Sequence, residues 1–389
     1  MLIYVVRFTS WCSWGVLYPF LAVWLLREDV LDETAVGMVA GAAVIANRVG
    51  SLLFAPLVHR ADKRTVVIAS QLAVVVFSCA LWLLGGAAAG SVLPWLAFAA
   101  LFGLANSVAT LAQVTFIAVQ FPPGETRRAF SHENVALNIG AGVGPVLSSL
   151  ALARTPDGYA LAPVPFAVLS AVLAAFLPRD RPRTAEDEEP AAGDAPAPRV
   201  LPVFLAMNFL TLLAYAQFYS VFPTEAEPAL GSTAIGLLFA FSSAVIVVSQ
   251  VPLTRLVARF GERTQAAAAN LATAAGIALL LRADTGPGPA LAAVLLLTLG
   301  EMVYGPLYQA VAVRLMPGRP TYAMGVVTFV WGLAESLAGA VGLVLVGAGL
   351  GSAAFLGAAA GCVAVAGLAA VAPGVWEGRR EAPQEVTRS

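Results

Sequence analysis

The chain alternates long apolar runs with short polar or charged segments over almost its whole length. A membrane-spanning helix needs roughly 20 apolar residues, and most of the runs are about this long. The pattern therefore predicts an all-α integral membrane protein with twelve transmembrane helices. Their predicted bounds are 2–26, 35–57, 65–85, 92–120, 134–153, 161–177, 200–223, 233–257, 264–282, 290–313, 321–347 and 351–373.

One polar segment divides the predicted helices into two sets of six. Residues 178–199 are rich in proline and alanine and contain the acidic run Glu186–Glu189. This composition is typical of a flexible linker that cannot form a packed core. We therefore predict an N-terminal bundle at 1–177, a cytoplasmic linker at 178–199, a C-terminal bundle at 200–376 and a cytoplasmic tail at 377–389.

The two sets repeat each other at a shift of 199 residues. Identical residues coincide without a gap, most clearly in the basic loop after the second helix of each set. The pairs include Thr34 with Thr233, Gly37 with Gly236, Leu57 with Leu256, Arg60 with Arg259, Arg64 with Arg263 and Thr65 with Thr264. Six helices repeated in the same orientation predict two pseudo-symmetric bundles about an axis along the membrane normal.

Composition excludes several classes of function. With 59% hydrophobic and 12% charged residues and a mean hydropathy of +0.83, the chain cannot cover a soluble protein with polar side chains. A net charge of −1 argues against a nucleic-acid partner. The sequence contains no metal-ligand cluster, catalytic triad or phosphate-binding glycine loop. We therefore predict that the protein is not an enzyme and binds neither a metal nor a cofactor.

The distribution of basic residues predicts the orientation. Arg27, Arg154 and Arg282 fall on one side of the predicted membrane, and Arg7 and Arg48 lie within helices. The other 17 of the 22 lysine and arginine residues fall on the opposite side. Basic residues accumulate on the cytoplasmic side of membrane proteins, so both termini are expected in the cytoplasm. Because arginine outnumbers lysine 21 to 1, as in GC-rich bacterial genomes, we expect a multi-pass protein of a bacterial inner membrane.

Polar and aromatic side chains concentrate on the first, fourth, seventh and tenth predicted helices, whereas every third helix carries few of them. The simplest interpretation is that every third helix faces lipid and the first of each trio lines a central substrate cavity. The residues predicted to line it are Trp11, Trp14, Tyr18, Asn106, Gln113, Asn208, Tyr215, Tyr219, Tyr304, Tyr308 and Trp331. Tryptophan and tyrosine also settle at bilayer interfaces without any ligand, which is the alternative explanation for the aromatic members.

Three charged side chains, Arg48, Glu301 and Glu335, fall near the middle of predicted helices. A charge at that depth costs on the order of 2.5–3.5 kcal/mol on insertion scales, so a partner or a wet cavity is expected. Glu301 has aromatic neighbours and no basic one, which suits a group that must gain and lose a proton. The alternative is that both glutamates are protonated or hydrogen-bonded structural groups. Arg7 is expected to extend toward the inner membrane surface.

A stretch of the fifth predicted helix combines small residues with a proline. Asn138–Ser149 reads NIGAGVGPVLSS and places Gly140, Gly144 and Ser148 four residues apart on one helix face. Small residues at this spacing let another helix approach closely, and Pro145 bends the axis. The stretch therefore predicts a closely packed helix that moves.

These motifs resemble those of the major facilitator superfamily, and the likeness covers essentially the whole chain. The loop Ala55–Arg64, APLVHRADKR, is similar to the family's G-x-L-A-D-R-x-G-R-R, with His59 in place of the aspartate, and Thr254–Arg263 is its second copy. The stretch in the fifth helix looks like the G-x-x-x-G-P-x-x-G motif of drug–proton antiporters, with Ser148 at the last glycine. The arginine that those antiporters carry early in the fourth helix is absent, because Ala99 stands there.

The resemblance implies roles for particular residues. In this fold the second and eleventh helices face each other, so Arg48 and Glu335 are expected to form a latch between the bundles. Together with Glu301, the expected proton site, they are the residues expected to couple transport to protons. The stretch Gly300–Pro306, GEMVYGP, is similar to the tenth helix of bacterial multidrug exporters. The residues expected to act in gating are Gly140, Gly144, Pro145, Ser148, Arg60, Arg64, Arg259 and Arg263.

The resulting expectation is a proton-coupled exporter of small amphipathic compounds that works by alternating access. Its expected partners are a small-molecule substrate, protons and the lipid bilayer, with the proton gradient as energy source and a monomer as the active unit. Two alternatives stay open. One is a proton-coupled symporter that takes up a metabolite or peptide, and the other is a membrane sensor or assembly partner that transports nothing.

Overall fold

The computed structural model describes residues 1–28, 31, 33–84, 91–122, 124–179, 200–371 and 373–376. Nearly all of these residues are helical, which confirms the predicted all-α fold. The tail predicted at 377–389 lies outside the described residues. So does the linker predicted at 178–199, except for its first two residues.

Each predicted transmembrane segment coincides with helical structure, and we number the helices 1 to 12 accordingly. The N-terminal half contains helix 1 (Leu2–Gly15 and Tyr18–Arg27), helix 2 (Glu33–Leu53 and Ala55–Arg60), helix 3 (Lys63–Leu84), helix 4 (Val92–Gln120), helix 5 (Thr126–Arg154) and helix 6 (Val164–Ala174). The C-terminal half contains helix 7 (Val200–Ser220 and Phe222–Leu230), helix 8 (Ser232–Val257), helix 9 (Glu262–Leu280), helix 10 (Pro287–Leu315), helix 11 (Pro320–Gly347) and helix 12 (Gly351–Val371 and Pro373–Trp376).

Within the described part of the chain, nine helices are long and apolar enough to cross a bilayer by length and composition. The remaining three are helix 1, which is interrupted, helix 6, which is shorter, and helix 9, which is rich in alanine. Large apolar side chains such as Val76 of helix 3, Val172 of helix 6 and Val371 of helix 12 are exposed on the outside of the bundle. Such exposure is expected where helices contact lipid tails rather than water.

Helix 1 is interrupted after Gly15, where Val16 and Leu17 form a turn. Pro19 has no N–H to donate to the carbonyl of Gly15, which removes one helical hydrogen bond at this point. The Leu17 carbonyl accepts a hydrogen bond of 2.8 Å from the hydroxyl of Tyr159, in the 3₁₀ turn before helix 6. The break is therefore held by a side chain from elsewhere in the N-terminal half.

Helix 5 begins at Thr126, several residues before the predicted start. Its first turns carry Arg127, Arg128, His132 and Glu133. Because these residues are polar, the apolar pattern did not predict this part of the helix. Polar side chains are tolerated here because several of them contact the C-terminal half or a buried partner.

Helices 1–6 pack together, helices 7–12 pack together, and the halves meet through helix 2 with helix 11 and helix 5 with helices 8 and 10. We call the side that carries Arg60, Arg127, Arg259 and Arg319 the basic face. It contains the connections after helices 2, 4, 8 and 10. The side-chain contacts between the halves lie between this face and the middle of the helices, so this is where the halves are held together.

Candidate functional site

Glu301 lies in the middle of helix 10, and the hydroxyl of Tyr215 on helix 7 donates a hydrogen bond to its carboxylate. The Tyr219 hydroxyl lies 3.3 Å from that of Tyr215, and the rings of Tyr215 and Tyr304 pack edge to face at 6.0 Å. Among the described residues, no lysine or arginine forms an ion pair with Glu301. The carboxylate is thus surrounded by tyrosines and held by a hydroxyl.

Tyr219 and Tyr308 occupy different surroundings within the C-terminal half. The Tyr219 side chain is 48% exposed and stacks on Phe239 at 5.4 Å, so it borders open space. Tyr308 is fully buried, and its hydroxyl lies 3.3 Å from the hydroxyl of Thr211 and accepts a 3.5 Å hydrogen bond from Asn270. The structure therefore places Tyr308 in the packed core, one helical turn nearer the basic face than Tyr304.

A row of stacked rings lies in the N-terminal half, between helices 1 and 4. Trp14 stacks on Tyr18 with ring centroids 4.6 Å apart and on Phe102 at 5.3 Å, and Phe102 stacks on Phe98 at 5.7 Å. Trp14 and Tyr18 are both half-buried, so the row leaves part of its aromatic surface open.

The three predicted cavity amides are buried inside the halves. Asn106 donates a 3.0 Å hydrogen bond to the carbonyl of Phe102 in its own helix. Gln113 is fully buried, and neither of its amide atoms has a hydrogen-bond partner among the described residues. The Nδ2 atom of Asn208 is also buried without a hydrogen-bond partner among the described residues. These amides therefore belong to the packed interior of the halves.

Arg48 of helix 2 and Glu335 of helix 11 form an ion pair that joins the two halves near the middle of the membrane. Trp331 lies one turn from Glu335, and its ring centroid is 5.8 Å from the Arg48 guanidinium carbon. The arginine side chain lies directly over Gly332, where any Cβ atom would collide with it. Glu335 remains 40% exposed, so the pair also borders open space.

A second ion pair, which the sequence analysis missed, is buried within the N-terminal half. Arg7 Nε donates to Glu133 Oε1 at 2.7 Å, and Arg7 Nη1 donates to Thr110 Oγ1 at 3.1 Å. Both charged side chains are at most 4% exposed. The expectation that Arg7 extends to the membrane surface is therefore wrong, because a carboxylate on helix 5 compensates its charge inside the bundle.

The small residues of the helix 5 stretch face helix 1 and the turn before helix 6, all inside the N-terminal half. Their contacts are Gly140 with Trp11, Gly144 with Gly15, and the Ser148 hydroxyl with the Tyr159 hydroxyl at 2.7 Å. Pro145 lies inside the helix and lacks the N–H that the Ala141 carbonyl would otherwise accept. The stretch thus packs two helices of one half and ties helix 5 to the break in helix 1.

Neutral side chains provide most of the hydrogen bonds between the halves near the basic face. The neutral pairs are Ser131 Oγ with Thr254 Oγ1 at 2.8 Å, Asn134 Nδ2 to Gln250 Oε1 at 2.9 Å and Ser51 Oγ to the Gly325 carbonyl at 3.4 Å. One charged group, Arg127, donates from Nη1 to Gln265 Oε1 at 2.9 Å. His59 lies with its ring 5.4 Å from that of Tyr322 across the same boundary.

The four arginines predicted to act in gating lie on the basic face, at or next to the ends of helices 2, 3, 8 and 9. Arg64 donates a 3.1 Å hydrogen bond to a backbone carbonyl after helix 6, inside its own half. Arg259 lies 4.9 Å from the ring of its neighbour in the loop. Arg60 is exposed and Arg263 is half-buried. The amide and hydroxyl pairs are not recognisable in the sequence, because such residues are common in any helix.

Comparison with solved structures supports the arrangement of the two halves. The human organic anion transporter MFSD10 (TETRAN) has a TM-score of 0.72 at 15% identity, covering 95% of this chain and 98% of that chain. The proton:xylose symporter XylE has a TM-score of 0.73 at 15% identity and covers 94% of both chains. FucP in its outward conformation has a TM-score of 0.69 at 15% identity, covering 95% and 97%. At this level of identity the likeness concerns the fold.

Comparison of sequences identifies the family. A search of curated protein sequences gives no match. The sequence profile of the Major Facilitator Superfamily matches residues 3–343, which is nearly the whole chain. The chain therefore belongs to the major facilitator superfamily and is a multi-pass membrane transporter of small molecules, not an enzyme.

Proposed function

We propose that the protein exports small amphipathic compounds in exchange for protons, with Glu301 as the group that takes up and releases the proton. The observation that carries the proposal is the position of this carboxylate in the middle of helix 10, hydrogen-bonded by Tyr215 and without an ion-pair partner among the described residues. A charge in that position is costly, and a proton removes it. Proton transfer at Glu301 thus changes the free energy of one transporter conformation relative to another.

The proposed transport cycle alternates access to a cavity between the halves. The halves are held together near the basic face, and the Arg48–Glu335 pair acts as the latch at mid-membrane. Breaking these contacts while closing the opposite side exposes the cavity to the basic face. By the positive-inside rule we assign this face to the cytoplasm, and in this proposal both termini lie on the cytoplasmic side of a bacterial inner membrane.

The open aromatic surface supports an amphipathic substrate. The row containing Trp14 and Tyr18 and the exposed part of Tyr219 offer flat apolar faces with polar edges. Export rather than uptake is favoured by the likeness of the helix 5 stretch to the antiporter motif. The transporter acts as a monomer, and the proton gradient is its only energy source in this proposal.

The test is solute movement in sealed vesicles under an imposed pH gradient, using a panel of fluorescent amphipathic dyes. The Glu301→Gln variant is expected to lose at least about tenfold of its gradient-driven efflux, as for removal of an acid–base group. The control is Glu262→Gln, which removes an exposed carboxylate paired with Arg314 at 2.7 Å on the basic face. Unchanged coupling in Glu301→Gln would contradict the proton site, and movement of solute together with protons would favour the uptake alternative.

A further inference from the structure

Gln250 of helix 8 is fully buried where the two halves meet, and both ends of its amide are used. Its Oε1 accepts a 2.9 Å hydrogen bond from Asn134 of helix 5, in the other half. Its Nε2 donates to the carbonyl of Met302 in helix 10 at 2.7 Å and to the hydroxyl of Thr254 at 3.1 Å. One side chain thus connects the N-terminal half to the backbone of helix 10.

The carbonyl that Gln250 binds is one that helix 10 itself cannot satisfy. In an α-helix the carbonyl of Met302 would accept a hydrogen bond from the N–H of residue 306. That residue is Pro306, which has no N–H, so the carbonyl needs a partner from outside the helix. Met302 directly follows Glu301. The helix is therefore weakened one turn beyond the carboxylate, and Gln250 stabilises it at this point.

The Asn134 end of this hydrogen-bonded connection lies next to a buried acid. Asn134 directly follows Glu133, whose carboxylate binds Arg7 at 2.7 Å inside the N-terminal half. Through Gln250, the Asn134 side chain is therefore connected to the backbone that directly follows Glu301, while Asn134 itself directly follows the buried Glu133. When the halves separate on the basic face, the Asn134–Gln250 bond must break, and Gln250 is then free to move with or away from the Met302 carbonyl.

We propose that Gln250 is a positioning residue that couples the state of Glu301 to the contact between the halves. The inference rests on the proposed role of Glu301. Protonation or deprotonation of Glu301 alters the backbone around Met302 and Pro306. Because Gln250 is hydrogen-bonded to the Met302 carbonyl, its side chain moves with this backbone. The hydrogen bond from Asn134 to Gln250 then becomes easier or harder to break. Neutralising Glu301 therefore changes the fraction of molecules that are open on the basic face, and that response requires Gln250.

A second glutamine provides a matched control. Gln265 of helix 9 is also buried and also accepts a 2.9 Å hydrogen bond across the boundary, from Arg127. Its Nε2 donates to the carbonyl of Phe260 in the loop before its own helix, at 2.7 Å, and not to helix 10. Substituting leucine for either glutamine removes one bond between the halves, but only Gln250→Leu also removes the bond to helix 10.

The experiment measures the distance between spin labels on the basic face at Glu125→Cys and Gly261→Cys, one exposed position in each half. The three native cysteines are replaced by serine. Neutralisation by Glu301→Gln is expected to change the ratio of open to closed molecules by about tenfold, and by less than about twofold when Gln250→Leu is present. In the Gln265→Leu background the response stays near tenfold. If Gln250 were merely structural, Gln250→Leu would change the ratio of open to closed molecules by the same factor in the parent protein and in Glu301→Gln.

The Asn134→Leu variant keeps the bond from Gln250 to Met302 and removes the bond between the halves. It also removes the 3.2 Å hydrogen bond that Asn138 donates to Asn134 within helix 5, which does not involve the C-terminal half. This variant is also expected to reduce the response. If Gln250→Leu does not fold, this variant tests the proposal. A full response in Gln250→Leu, or in Asn134→Leu where Gln250→Leu does not fold, overturns the role of Gln250, and so does the absence of any response in the parent protein. Failure of the proposed function is recognised separately, because Glu301→Gln then leaves gradient-driven flux in vesicles unchanged.

Discussion

Gly144 of helix 5 lies directly against the backbone of Gly15 in helix 1, just before that helix is interrupted. A methyl group on Gly144 would stand 2.9 Å from the Cα and carbonyl carbon of Gly15, closer than real contacts allow. The backbones touch, so neither helix can relieve an added side chain by rotating a rotamer. This contact explains why a small-residue motif is required at this place in helix 5.

Gly144→Ala is therefore expected to destabilise the protein by about 1–3 kcal/mol, the usual cost of overpacking a close contact. Thermal unfolding in detergent measures the effect. The matched control is Gly142→Ala in the same helix, where an added Cβ meets nothing within 4 Å. Equal stability of the two variants would show that the close packing with helix 1 is dispensable.

Arg7 and Glu133 provide a second prediction, because each leaves a buried charge when the other is removed. Arg7→Met or Glu133→Leu alone is expected to cost about 3–5 kcal/mol of stability. The double variant leaves no unpaired charge and should recover much of that loss. Denaturant unfolding of the single and double variants forms the test, and additive losses would argue against a buried pair.

The Arg48–Glu335 pair is predicted to behave differently, since Glu335 is 40% exposed. Solvent screens such a pair, so Glu335→Gln should shift the equilibrium between closed and open states by only about 0.2–1 kcal/mol, less at high salt. Spin-label distances across the basic face at two salt concentrations measure this shift. Recovery by the charge-swapped pair Arg48→Glu with Glu335→Arg would support the latch, whereas no shift at low salt would contradict it.

Tyr215→Phe tests the hydrogen bond to Glu301 without removing the ring. Hydrogen bonds to charged groups contribute about 1.5–3 kcal/mol, so the rate of gradient-driven transport should fall at least about tenfold. Tyr308→Phe is the control, because its hydroxyl binds Thr211 and Asn270 in the core instead. Similar transport rates for the two variants would mean that the Tyr215 hydroxyl does not act on the carboxylate.

The helices and the isolated charges within them could be predicted from the sequence, because both depend on the local pattern of apolar and charged residues. Apolar runs of membrane length predicted all twelve membrane helices, and the ion pair of Arg48 with Glu335 followed from two unusual charges and the resemblance to a known fold. The pair of Arg7 with Glu133 was missed for a physical reason. Glu133 lies in a polar turn that the apolar pattern excluded from helix 5, so its burial depends on packing.

The hydrogen bonds that connect Asn134, Gln250 and the Met302 carbonyl could not be predicted from the sequence, for another reason. Pro306 predicts that the Met302 carbonyl lacks its helical partner, but nothing in the chain tells which side chain supplies one. The answer depends on the angle at which helix 8 crosses helix 10 and on the register of helix 5 against both. Such contacts join residues far apart in the chain, so a local sequence pattern does not predict them.

The interruption of helix 1 has a mechanical consequence. The segment Leu2–Gly15 is fixed to helix 5 through Gly144, whereas Tyr18–Arg27 begins after a turn whose Leu17 carbonyl is already bonded to Tyr159. Tilting the second segment about this turn breaks no hydrogen bond of a continuous helix. One membrane span therefore consists of two helical pieces joined at a turn, and Tyr18, the first residue of the second piece, stacks on Trp14 of the first piece across that turn.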